Sequence, residues 1–138
     1  MTGLRRFLDA QEGGVYETAL DELRAGAKRS HWMWFVFPQI AGLGRSDLAH
    51  RYAIEGKDEA AAYARHHVLG SRLAACTDAM LSWRGKRSAE AILGPADARK
   101  FHSSMTLFAA CAPDPAAFAG ALDAFYAGQR DPATMERL

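Results

Sequence analysis

The sequence predicts a mainly α-helical protein, one compact bundle of about six to eight short helices forming a single domain over residues 1–138. Three observations predict it. Apolar residues recur at spacings of three and four, the period of one helix face. Three prolines, at Pro95, Pro115 and Pro132, each follow Gly or Asp and precede a run with that spacing. No stretch shows sustained alternation with β-branched residues, and valine and isoleucine are scarce.

Along the chain, Leu4, Phe7 and Leu8 form a first apolar stripe, interrupted by Gly13-Gly14. Val15, Ala19, Leu20 and Leu23 resume it as far as Gly26. The segment His31-Trp32-Met33-Trp34-Phe35-Val36-Phe37-Pro38-Gln39-Ile40 is apolar all round, so periodicity does not separate helix from strand. A short central helix ended by Pro38 is the expectation, because proline lacks a donor and restricts the residue before it. Ser46 is placed to cap a helix running through Ala49 and Ala53, ended by Gly56. Asp58 to Arg65 is rich in helix formers. Leu73, Cys76, Thr77, Met80 and Trp83 trace the next face, and Ser88 is placed to cap a short helix ending at Gly94. Helices then start near Pro95, Pro115 and Pro132, since proline suits a first-turn position whose N–H has no partner. Aspartate just ahead of the second and third can accept orphan N–H groups.

Composition bounds the class. The chain has 138 residues, 49% hydrophobic and 24% charged, which is ordinary globular usage. A chain of this length buries about two-thirds of its unfolded surface without disulfides or metals. Formal charge is +1, so there is no basic excess to grip a nucleic-acid backbone, and no nucleic-acid partner is expected. Cys76 and Cys111 lie on apolar helical stripes and are expected as free thiols. No Cys-x-x-Cys or His-x-x-x-His pair suggests a metal site, and no cofactor is implied. Met1-Thr2-Gly3-Leu4-Arg5-Arg6-Phe7 lacks the apolar core of a signal peptide, and no apolar run is long enough for a membrane span. The cytoplasm is the expected location.

Three clusters could carry chemistry. In the first, Trp32 and Trp34 serve either as core anchors or as the aromatic wall of a pocket, with His31 and Gln39 as polar handles at its mouth. The all-round apolar character of the segment makes Trp34 an expected core anchor, whose replacement by alanine costs about 3–5 kcal/mol. The second is Gly42-Leu43-Gly44-Arg45-Ser46, a simple turn or a loop whose N–H groups and Arg45 would hold an anion. The third is Asp97, Arg99, Lys100, His102, Ser103 and Ser104. On a helix Lys100 shares a face with Ser104, and Arg99 with Ser103. That cluster is either a solvated first turn or one side of a site, with His31, Lys100 and Ser104 as the candidates for catalysis.

Taken in order, Ser30-His31-Trp32-Met33-Trp34-Phe35-Val36-Phe37-Pro38-Gln39, Gly42-Leu43-Gly44, Arg51-Tyr52-Ala53-Ile54 and Lys100 through Ser103-Ser104-Met105-Thr106-Leu107-Phe108 resemble the uncharacterised bacterial family catalogued as domain of unknown function 1810. The resemblance extends over nearly the whole chain, with Val68 a departure where many relatives carry proline. It implies a mainly helical fold and no agreed activity. Some members carry a calpastatin label, implying protease inhibition, but such inhibitors are polar segments that fold on their target, and this composition is globular. Lys100-Phe101 and Met105 are also similar to motifs of helical enzymes that process ADP-ribose and riboflavin intermediates. Two readings of function follow. In one, Trp32, Trp34, Gln39, Arg45 and Ser103 bind a small, planar, anionic, nucleotide-like ligand between the Trp-Met-Trp segment and the Lys100–Ser104 helix start. In the other, the chain is a non-catalytic protein–protein interaction module.

Overall fold

The computed structural model describes residues 3–138; Met1 and Thr2, the start of the segment read for a leader, lie outside them. It is mainly α, with ten helices and no strand among the described residues, and five of the helices have seven residues or more. They are α1 (Arg5–Ala10), α2 (Val15–Arg24), α3 (Met33–Val36), α4 (Asp47–Arg51), α5 (Lys57–Arg65), α6 (Leu69–Leu81), α7 (Ala89–Leu93), α8 (Pro95–Cys111), α9 (Ala116–Tyr126) and α10 (Pro132–Met135). Single turns such as α3 and α10 carry the number above the six to eight expected, because four residues show no periodicity in a sequence. No helix among the described residues is long and apolar enough to cross a membrane.

The starts follow the punctuation. Pro95 and Pro132 open α8 and α10, and Pro115 immediately precedes α9. Ser46 and Ser88 accept from the N–H of Ala49 and Ala91, capping α4 and α7. Helix α4 stops at Arg51, before Ala53, and Gly56 caps the start of α5 instead of ending α4. The His31–Phe37 segment forms the single turn α3, after which the chain passes through Pro38 into an isolated parallel bridge between Ile40 and Ile54. There the Ile54 N–H donates to Gln39 O at 2.8 Å and the Ala41 N–H to Ile54 O at 2.9 Å, which fixes the backbone at Gln39.

Helix α8 is the centre of the molecule. It packs on α5, α7, α9 and α10, while α6 packs on α2, α5 and α9. Every residue from Ser103 to Ala109 is buried, the signature of a helix enclosed on all sides. The start of α8 is different: Pro95, Ala96 and Arg99 are exposed, so its first two turns emerge from the core. Phe101 and Phe108 anchor it, meeting Phe37 and Tyr63 at centroid distances of 4.9 and 5.5 Å. Both cysteines are free, and burial pushes the Cys76 thiol up to about 12.

Glu22 of α2 ties down the approach to α3. Its carboxylate accepts from the Arg29 N–H (2.8 Å), the Ser30 N–H (2.9 Å), the Ser30 hydroxyl (2.6 Å) and Trp32 Nε1 (2.9 Å). Burial opposes ionisation there, but those hydrogen bonds prevail and hold the carboxyl down at about 2, against an ordinary value of 4.5. A carboxyl depressed in the folded state stabilises the protein above its unfolded value, and that contribution is lost as pH falls from 4.5 towards 2. The melting temperature is therefore expected to drop between about pH 5 and about pH 2, and Glu22→Gln to make that drop shallower. An identical pH profile in the parent and the variant would remove Glu22 from this role.

Candidate functional site

The exposed start of α8 faces α3, the loop after the bridge and the start of α10. A cavity of about 430 Å³ lies between them, bordered by Trp34, Gln39, Lys100, Ser103 and Asp131, with Leu43, Gly44, Arg99 and His102 completing most of its wall. Volumes of this order suit small-molecule ligands.

Trp34 forms the aromatic wall. It is half-buried, and the Lys100 ammonium stands 4.7 Å from its ring centroid. The glycine at Gly44 is required by packing, since a Cβ there would fall 2.6 Å from the Ala49 Cβ, with the Trp34 ring 3.7 Å away. Lys100 is held from behind. Its Nζ donates to Asp97 Oδ1 at 3.1 Å, one helical turn back, and Lys28 Nζ binds the other oxygen at 2.8 Å. Burial alone would raise the Asp97 carboxyl, but hydrogen bonds from Lys28 and then Lys100 hold it below the usual carboxylate range. Two ammonium groups share one carboxylate, so the trio keeps a net positive charge at the cavity wall. Arg99 adds a second cation and makes no side-chain hydrogen bond or ion pair with the described residues.

The opposite side is built by α10. Asp131 Oδ2 caps that helix by accepting from the Thr134 N–H (3.1 Å) and hydroxyl (2.6 Å), and the Ser103 hydroxyl lies 3.2 Å from the same oxygen. The Asp131 N–H donates to Thr106 Oγ1 at 2.9 Å, which anchors the cap to α8. His102 is fixed as firmly. Its Nε2 lies 2.8 Å from Gln129 O and its ring stacks on Tyr126 at 4.1 Å. A carbonyl can only accept, so Nε2 carries the hydrogen and Nδ1 of the neutral ring is left as an acceptor. Among the described residues no group of His, Cys, Asp and Glu is arranged to hold a metal.

Of the residues singled out in the sequence, the structure brings Trp34, Gln39, Lys100 and Ser103 together. Four others are placed elsewhere. Trp32 is 1% exposed and donates to Glu22, so it belongs to the core. Ser104 is fully buried, and its Oγ is the buried side-chain polar atom without a partner among the described residues. His31 and Arg45 are exposed and lie outside the cavity lining. Trp34, by contrast, is cavity wall and not the buried anchor that the all-apolar segment suggested. Arg99 and His102 of the third cluster also line the cavity, in keeping with the recurrence of 96, 99, 100 and 103 on one side of α8, and Asp131 is the addition.

A central buried helix whose exposed first turns meet an aromatic residue and two cations defines a mainly α protein with one cationic, aromatic-walled cleft. The sequence matches the family described as protein of unknown function (DUF1810) over residues 1–138, and the chain belongs to that family. It is also similar to the conserved hypothetical protein Rv1873 from Mycobacterium tuberculosis, known from a crystal structure. The two are 49% identical with a TM-score of 0.94, over 98% of this chain and 95% of that one. No curated protein matches the chain.

Proposed function

We propose that the cleft binds a small anion carrying a planar group, of the nucleotide or sugar-phosphate class. The observation that carries this reading is the Lys100 ammonium poised 4.7 Å over the Trp34 ring inside a cavity of about 430 Å³. A planar group entering there stacks on the indole, and its anionic group meets Lys100 and Arg99 beside the positive end of the α8 dipole. Gln39 and His102 Nδ1 supply hydrogen-bonding positions for the edge of such a group, and Asp131 accepts from its hydroxyls. The site is supported as built by the ties already described: Asp97 and Lys28 fix Lys100, the Ile40–Ile54 bridge fixes Gln39, and Gln129 fixes His102.

The interaction-module reading has less to stand on. Leu48 and Met135 are the only large hydrophobic side chains exposed among the described residues, too little for a broad apolar docking patch.

Melting in the presence of AMP, ribose 5-phosphate or inorganic phosphate tests the proposal. A ligand that binds only the native state raises the melting temperature. The expected order is AMP, then ribose 5-phosphate, then phosphate, because the planar group adds the Trp34 contact. No shift with any of the three at millimolar concentration would overturn the reading.

A further inference from the structure

We infer that the cleft is one half of a longer site, and that its full ligand is a dinucleotide: two planar, hydroxyl-bearing groups joined by a phosphate bridge that crosses the start of α8. This rests on the reading of the Trp34 cleft just given. A second cavity, of about 520 Å³, lies on the other side of the same helix turns, bordered by Ser88, Glu90, Arg99, His102, Phe125 and Tyr126. Arg99 and His102 line both cavities, so the first two turns of α8 form a low ridge between adjoining spaces. The helix period accounts for this: Ala96, Lys100 and Ser103 border the first space, Pro95 and Ala98 the second, and Arg99 and His102 stand at the crest.

The chemistry divides along that ridge. On the crest stands Arg99, an exposed guanidinium with no partner among the described side chains, next to Lys100 on the first side. Phosphates suit that position, since the planar fork of arginine matches their oxygens. The second cavity is different in kind. It holds the Glu90 carboxylate and the Ser88 hydroxyl beside the Phe125 ring, and contains no cation other than Arg99. A carboxylate repels a further phosphate but accepts hydrogen bonds from sugar hydroxyls, and an aromatic side chain offers a surface for a base. This wall is also preorganised. Phe125 packs against Phe101 with ring centroids 6.1 Å apart, and the Tyr126 hydroxyl donates to Ala98 O at 2.5 Å while its ring carries the stacked His102. The order along the groove is therefore planar group, phosphate, hydroxyl-bearing planar group.

Titration calorimetry with AMP and with diadenosine 5′,5′-pyrophosphate tests this. Linking the second nucleoside makes its binding intramolecular, and the dinucleotide is expected to bind at least about tenfold more tightly than AMP. Glu90→Trp, an exposed position on α7, fills the second cavity. It is expected to leave AMP binding unchanged and to bring the dinucleotide down to the affinity of AMP, with a parent-like melting temperature showing that the variant folds. If the parent binds both ligands equally, the second subsite falls while the Trp34 cleft stands. If Glu90→Trp leaves the advantage intact, the second group lies elsewhere and the inference is overturned. If neither ligand binds the parent, both proposals fall.

Discussion

Trp32→Ala destabilises the protein by about 3–5 kcal/mol, the usual cost of truncating a buried aromatic. The side chain is 1% exposed, its ring lies 6.3 Å from that of Phe37, and the Lys28 ammonium stands 5.0 Å from its centroid. Alanine leaves a void where the indole packed and removes one of the four donors that hold Glu22 ionised. Those donors fix the chain between α2 and α3, so the loss spreads to the orientation of α3 and of Trp34 upon it. Trp34→Ala costs less, because the side chain is half-buried and borders the open cavity. Urea unfolding of the two variants checks this, with the midpoint falling further for Trp32→Ala. A larger loss for Trp34→Ala would reverse the assignment of anchor and wall.

Lys100→Ala is expected to abolish the rise in melting temperature that the proposal expects from AMP, and to leave the unliganded protein folded. The second half of that statement follows from the ion-pair geometry. Asp97 keeps Lys28 at 2.8 Å when Lys100 is removed, so no buried carboxylate is orphaned. The first half follows from the charge: without Lys100 the Lys28–Asp97 pair is neutral, and the cation over Trp34 is gone. Ligand at a hundred times its dissociation constant stabilises a protein by about 2.7 kcal/mol, an effect readily seen in a melting curve. A Lys100→Ala protein that melts normally and still responds fully to AMP would place the anion site elsewhere.

Much of this architecture is written in local chemistry. The starts at Pro95 and Pro132, and the Ser46 and Ser88 caps, depend only on adjacent residues, and they stand where the sequence puts them. The single turn α3 and the Ile40–Ile54 bridge do not, because an all-apolar run shows no period and a bridge needs a partner distant in sequence.

The cleft was partly legible for the same reason. Lys100 and Ser103 lie on the exposed side of the helix start, and Trp34 and Gln39 are unusual enough in their segment to be singled out. What local reading lacked was the depth of each neighbour: Trp32 turns inward to donate to Glu22 while Trp34 faces the cavity, and Ser104 is fully buried beside the cavity-lining Ser103. One member of each pair went to the core. Asp131 reads in sequence as a helix cap, which it is; only the packing of α10 on α8 brings the same carboxylate to the cleft. His31 and Arg45 flank the right segments but are exposed and lie outside the lining.

The central claim is that a planar anion occupies the space between Trp34 and Lys100. A crystal structure of the protein grown with AMP tests it most directly. The adenine is expected against the Trp34 ring, with the phosphate within hydrogen-bond distance of Lys100 and Arg99. AMP bound at a different surface, or a cleft holding only solvent at saturating AMP, would contradict it.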